Sequence, residues 1–133
     1  MELGEYQDLA SSTDLQKGNQ LYHLLGLLSE VGEALDFVTA ESGELESFLS
    51  QAKIVCEKAA GYKRLIRDQG ETEKFFLVAT DESIYSELGD ILWYVAALAN
   101  DYNADLDRVG ESNIKKLFDR KARGVLKGKG GNR

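Results

Sequence analysis

Apolar residues recur every three or four positions along most of this chain, which is the periodicity of amphipathic α-helices. Strict alternation of apolar and polar residues, the pattern of a half-buried strand, is rare, and the sequence contains no proline. The pattern predicts an all-α fold, a helical bundle of four to five helices.

Cap signals and breaks in the periodicity divide the chain into four long helical regions. The first is predicted from Thr13-Asp14 to about Val38 and the second from about residue 44 to 68. The third begins near Thr80-Asp81 and ends near residue 100, and the fourth runs from a cap at Asp105 to about residue 122. One or two helical turns are predicted for the apolar run at 75–78. The predicted core stripe of the first helix consists of Leu21, Leu24, Leu28, Val31, Leu35 and Val38.

Chain length and net charge predict the domain organisation and limit the possible partners. With 133 residues and a formal net charge of −7, the chain is predicted to be one domain over residues 1–123 with a flexible Gly/Lys-rich tail at 124–133. Residues 115–133 carry +7, so the preceding 114 residues carry −14. Such an acidic body argues against nucleic acid as a partner. The apolar runs are too short to span a membrane, and the expected location is cytoplasmic.

Two short acidic signatures are the most informative motifs. Glu30-Val31-Gly32-Glu33 and Glu87-Leu88-Gly89-Asp90 each place two carboxylates three residues apart, and therefore on one face of a helix. If these faces oppose each other, four carboxylates converge and require a cation. An oxygen-only ligand set favours Mg²⁺, with Mn²⁺ as a substitute, and such ions often bind together with substrate phosphates. A merely solvated acidic face is the simpler alternative for either pair alone. A di-iron site needs Glu-x-x-His pairs, which the single His23 does not supply.

The fourth helix carries candidate substrate ligands. Asn113, Lys116 and Arg120 share one face, where an amide can recognise a sugar or a base and the two cations can bind phosphate. Arg123 and the tail cations extend this set. A polar outer face at a helix C-terminus is the alternative interpretation. Trp93, next to the second signature, is predicted either to stack on a nucleobase or to belong to the core.

Several stretches resemble the MazG-type all-α nucleoside triphosphate pyrophosphohydrolases. They are residues 24–33 and 87–96 around the two acidic signatures, the stretch Asn113–Leu117, and the ending Arg120–Gly124. Fifty-three residues separate Glu33 from Glu87, which is longer than is usual in the family, so residues of about 38–62 look like an insertion.

The resemblance implies Mg²⁺-dependent hydrolysis of a nucleoside triphosphate to a monophosphate and pyrophosphate. It assigns Glu30, Glu33, Glu87 and Asp90 to metal binding, with Glu30 or Glu33 also orienting the attacking water. It also implies a homodimer or homotetramer that completes the bundle, with sites at the subunit junction.

The sequence leaves the substrate and two other functions open. A deoxynucleotide such as dUTP or dCTP, a damaged purine triphosphate and phosphoribosyl-ATP all fit the same chemistry. A non-catalytic helical module whose acidic faces bind a basic partner is the alternative from another class. A purely structural metal is a third possibility.

Overall fold

The computed structural model describes residues 1–69 and 80–126. Those residues form five α-helices and no strand, so the all-α prediction is confirmed for the described part of the chain. The turns predicted at 75–78 and the tail cations Lys127, Lys129 and Arg133 lie outside it. The helices are α1 (Leu3–Ser11), α2 (Gln20–Leu35), α3 (Glu44–Gln69), α4 (Asp81–Asp101) and α5 (Leu106–Ala122).

The prediction of one long helix from residue 13 to 38 is wrong. The chain instead forms α1, which ends at Ser11, and α2, which begins only at Gln20 and ends at Leu35. Thr13 does not cap a following helix; its hydroxyl donates to the carbonyl of Ala10 at 2.7 Å, at the end of α1. The chain then turns through Gly18, whose φ of +81° favours glycine. Asn19 is the actual N-cap of α2, since its side chain accepts a hydrogen bond from the backbone N–H of Tyr22 at 3.0 Å.

The boundaries predicted for the other three helices agree with the structure within one or two residues. α4 begins with a capping box in which the side chains of Thr80 and Ser83 each accept from the other's backbone N–H. Asp105 caps α5 by accepting from the N–H groups of Asp107 and Arg108. After α5, Gly124 takes a φ of +69°, as expected for a glycine that ends a helix.

The chain divides into two compact units, and α2 and α3 belong to the unit Gly18–Leu77. These two helices pack through small side chains, which allow their backbones to approach closely. Four of the six residues of the stripe predicted as core are exposed in the single chain, Leu24, Leu28, Val31 and Val38 at 40–49%, whereas Leu21 and Leu35 are half-buried. The buried residues are Ser29 and Gly32 from α2 with Leu49, Cys56 and Ala59 from α3.

The other unit, Met1–Lys17 with Val78–Arg133, contains α1, α4 and α5. α1 lies along α5, and Ile114 of α5 is buried at 6% exposure. α4 has no buried residue, and its apolar side chains Leu88, Leu92, Val95 and Leu98 are 44–55% exposed. Most of the apolar face of α4 is thus uncovered in the single chain. None of the described helices is long and apolar enough to cross a membrane.

Candidate functional site

The first acidic signature lies in the last two turns of α2. Glu30 and Glu33 are both exposed, whereas Gly32 between them is buried against α3. A β-carbon added at Gly32 would overlap the β-carbon of Cys56. One turn earlier the hydroxyl of Ser29, also buried, donates to the carbonyl of Gly26 at 2.8 Å. The small residues Ser29 and Gly32 are therefore buried where α2 packs, whereas the carboxylates of Glu30 and Glu33 remain exposed to solvent.

Lys63, a cationic side chain of α3, lies beside the N-terminal half of α2. The Cδ atom of Lys63 lies 3.4 Å from where a β-carbon of Gly26 would stand, and its ammonium is 5.8 Å from the ring centroid of Tyr22. Further along α3, the hydrogen bond and charge of Asp68 raise the pKa of Arg67 above its usual value, against a smaller effect of burial. The Lys63 ammonium thus lies on the same helix pair as Glu30 and Glu33, whereas the charge of Arg67 is paired with Asp68.

The second acidic signature lies in the middle of α4. Glu87 and Asp90 are exposed, and a β-carbon added at Gly89 would meet no atom within 4 Å. Trp93 is 64% exposed and makes an edge-to-face contact with Tyr94, with ring centroids 5.0 Å apart. Of the two interpretations of Trp93, membership of the core does not hold for the single chain.

The two carboxylate pairs belong to different units, Glu30 and Glu33 to one and Glu87 and Asp90 to the other. Within each unit, the described residues contain no group of three or more His, Cys, Asp or Glu side chains placed to hold a metal ion. Each pair nevertheless supplies carboxylate oxygens that are open to solvent, and such oxygens fit a hard divalent cation. Convergence of all four on one site remains a prediction.

On α5 the structure brings two of the predicted substrate ligands together. Asn113 and Lys116 line an open depression of about 580 Å³, to which Arg108 and Ser112 also contribute. Ser112 precedes Lys116 by four residues, so helical spacing alone identifies it as a neighbour. The depression joins two amides, a hydroxyl, two cations and the Asp105 carboxylate, which caps α5, so Arg108 and Lys116 are the groups in it that could bind phosphate oxygens.

The two predicted arginines have other surroundings. Arg120 is only 5% exposed and does not line the depression. Arg123 is half exposed and pairs with Asp119 one turn earlier, with nitrogen–oxygen distances of 2.9 Å. Of the predicted ligands on α5, Asn113 and Lys116 therefore line the depression, Arg123 is exposed beside Asp119, and Arg120 is buried in the single chain.

One contact of this site has no signal in the sequence. The hydroxyl of Tyr6, on α1, donates to Oδ1 of Asn113 at 2.8 Å across 107 residues of chain. Both side chains also line an apolar groove of about 570 Å³ formed by α1, α4 and α5. Periodicity relates residues of one helix, and it does not reveal which helix docks on which.

Exposed carboxylate pairs on helices, together with a polar and cationic helix face, define an all-α protein suited to phosphate-bearing ligands. The model of the MazG nucleotide pyrophosphohydrolase domain matches residues 19–125, a range that contains both acidic signatures and the predicted ligands on α4 and α5 but not the tail cations. The chain belongs to this family, which confirms the resemblance. A curated relative, the Gene 37 protein of Mycobacterium phage L5, is 30% identical over 141 residues and is covered along 100% of both chains. No solved structure matches the chain.

Proposed function

We propose that the chain is a Mg²⁺-dependent nucleoside triphosphate pyrophosphohydrolase that converts a (d)NTP to a (d)NMP and pyrophosphate. The observation that carries the proposal is membership of the MazG nucleotide pyrophosphohydrolase family across a match that includes both acidic signatures. The exposed carboxylates of Glu30, Glu33, Glu87 and Asp90 support it, since solvent-facing oxygens are available to a cation and its substrate.

In the proposed reaction, water attacks phosphorus at the anhydride between the α and β phosphates. The new P–O bond forms as the bridging P–O bond breaks on the opposite side, and pyrophosphate leaves. Bound Mg²⁺ would supply neutralisation of the charge that develops on the phosphate oxygens. Glu30 or Glu33 orients the water and accepts its proton, while Lys116 binds phosphate and Asn113 binds an acceptor of the nucleotide. Trp93, which is exposed beside the second signature, would stack on the base.

The assembly we propose is a homodimer or homotetramer with sites at the subunit junction. Its support is the amount of apolar surface that the single chain leaves open on α2 and α4, including Leu24 at 49% and Leu98 at 55% exposure. Surfaces of this kind mark protein–protein contacts in soluble proteins. Helices from a second copy would complete the bundle. A nucleotide substrate is consistent with a cytoplasmic location.

The test is pyrophosphate release from a panel of nucleoside triphosphates at fixed Mg²⁺. Glu30→Gln and Asp90→Asn remove one charge from each signature with almost no change in shape, and each is expected to lower turnover by about a hundredfold or more. Glu57→Gln, an equally exposed carboxylate on α3 outside both signatures, serves as the matched control and should keep wild-type turnover. A folded protein that releases no pyrophosphate from any nucleotide would contradict the proposal and favour a non-catalytic acidic module.

A further inference from the structure

Helix α1 lies beside α5 in the same direction, and polar contacts join the two near both ends of α1. Near its start, the hydroxyl of Tyr6 donates to Oδ1 of Asn113 at 2.8 Å. Near its end, the ammonium of Lys121 donates to the carbonyl of Ser12 at 3.0 Å. One turn before Asn113 on α5, Gly110 leaves room for the Tyr6 ring, whose Cδ2 atom lies 3.4 Å from where a β-carbon would stand. The Tyr6 side chain is thus held by packing against Gly110 as well as by its hydrogen bond to Asn113.

The hydrogen bond determines which half of the Asn113 side chain a ligand meets. A carboxamide has an oxygen that accepts and an amino group that donates two hydrogens, and a free side chain can present either by rotation. In the orientation in which Oδ1 accepts from Tyr6, the amino group remains to donate. No hydrogen bond between described residues has the amino group of Asn113 as its donor. Asn113 therefore offers donors to whatever binds beside it.

Asn113 stands where two surfaces of this unit meet. On one side is the depression with Lys116 and Arg108, and on the other the apolar groove that Tyr6 shares with Leu92 of α4. A ligand with a charged end and an apolar ring can contact Asn113 from either side. A nucleotide has both parts, and its phosphates, sugar and base all carry oxygen or nitrogen acceptors.

We propose that Tyr6 is a positioning residue for nucleotide binding, holding the Asn113 carboxamide so that its amino group donates to an acceptor of the nucleotide. This proposal rests on the proposed function. It concerns a residue outside the family match, which begins at residue 19, so it is a property of this chain's own N-terminal helix. Tyr6 acts through Asn113 and does not touch the reacting atoms.

The experiment is Tyr6→Phe, which removes the hydroxyl and keeps the ring against Gly110. Loss of one hydrogen bond should raise KM for the preferred triphosphate about two- to tenfold, with kcat within about twofold of wild type. The Kd of a non-hydrolysable α,β-imido triphosphate, measured by calorimetry with Mg²⁺, should rise by the same factor. Tyr62→Phe is the matched control, since Tyr62 is an exposed tyrosine on α3 outside the site, and it should change neither value.

Two substitutions at Asn113 distinguish a positioning role of Tyr6 from a role in the stability of the fold alone. Asn113→Asp keeps an acceptor for Tyr6 and removes the donor, so it should weaken analogue binding at least as much as Tyr6→Phe does. In an Asn113→Ala background, Tyr6→Phe should have no further effect on Kd. The proposal is overturned if Tyr6→Phe lowers the melting temperature while KM and Kd stay at wild-type values, or if its effect on Kd persists without Asn113.

Two probes identify the acceptor. Weaker inhibition of Tyr6→Phe by inorganic tripolyphosphate assigns the contact to a phosphate oxygen, whereas weaker inhibition by the nucleoside monophosphate alone assigns it to the base or sugar. Unchanged inhibition by both overturns the proposal. The proposed function fails separately if the wild-type chain releases no pyrophosphate; the analogue Kd then still decides the role of Tyr6, and absence of any nucleotide binding rejects both.

Discussion

The glycines of the two acidic signatures have opposite surroundings, and alanine at each should have opposite effects on stability. At Gly32 a new methyl group would overlap the β-carbon of Cys56, and the α-carbon of Cys56 is only 3.6 Å away, so the two helices must separate. Overpacking of this kind costs up to about 3 kcal/mol, offset by about 1 kcal/mol from the better helix propensity of alanine. Gly32→Ala should therefore destabilise the chain by about 2 kcal/mol.

At Gly89 the same substitution meets no atom within 4 Å, so only the helix propensity changes. Gly89→Ala should stabilise the chain by up to about 1 kcal/mol. With an unfolding entropy of about 2.1 cal/mol/K per residue, these values correspond to a fall of roughly 7 °C for Gly32→Ala and a rise of up to roughly 4 °C for Gly89→Ala. Thermal and urea unfolding followed by circular dichroism measures both.

A double-mutant cycle tests the cause of the loss at Gly32. Cys56→Gly removes the β-carbon that the new methyl would meet, so the double variant should be less destabilised than the sum of the two single variants. Additive effects, or a Gly32→Ala variant as stable as wild type, would refute the close approach of α2 and α3. A loss of stability in Gly89→Ala would likewise refute the open surroundings of Gly89.

Three further predictions concern the helix ends and the exposed faces. Thr80→Ala removes the α4 capping box and should cost about 1 kcal/mol in urea unfolding, while Thr80→Ser should stay near wild type. Asp105→Ala should cost a similar amount at α5, because two backbone N–H groups lose their acceptor. Leu98→Lys places a charge on the uncovered face of α4; in light scattering it should lower the oligomer mass while helicity is retained, and an unchanged mass would exclude this face from the interface.

The sequence predicted the helices well wherever local chemistry decides their ends. The Asp105 cap and the Thr80 cap were recognisable because side chains that accept hydrogen bonds from the first N–H groups act within four residues. The start of α2 was predicted wrongly because Thr13 also carries a hydroxyl that can cap a helix. In the structure this hydroxyl donates to the preceding carbonyl of Ala10 at the end of α1, and so it does not cap α2. A residue type that can serve at either end of a helix does not say which end it serves.

The packing was predicted less well, because periodicity finds an apolar face but not what covers it. Leu24 and Val31 form a regular stripe, yet α3 packs on the neighbouring face where Ser29 and Gly32 permit a closer approach. For the site, the acidic signatures and the spacing from Asn113 to Lys116 were local and therefore readable. The contact from Tyr6 to Asn113 depends on how α1 docks on α5, and no pattern within either helix contains that information.

The exposed apolar faces and the exposed carboxylates occur on the same helices, so the proposed assembly and the proposed metal site depend on each other. Leu27 precedes Glu30 by three residues on α2, and Ile91 follows Glu87 by four on α4, so each pair shares one helical surface. An interface that covers the apolar residues also takes the carboxylates partly out of water, where unpaired charge is costly. A divalent cation between them relieves that cost. Burial of the apolar faces beside four acidic side chains therefore calls for compensating positive charge at the proposed junction, which the proposed Mg²⁺ or Lys and Arg side chains would supply.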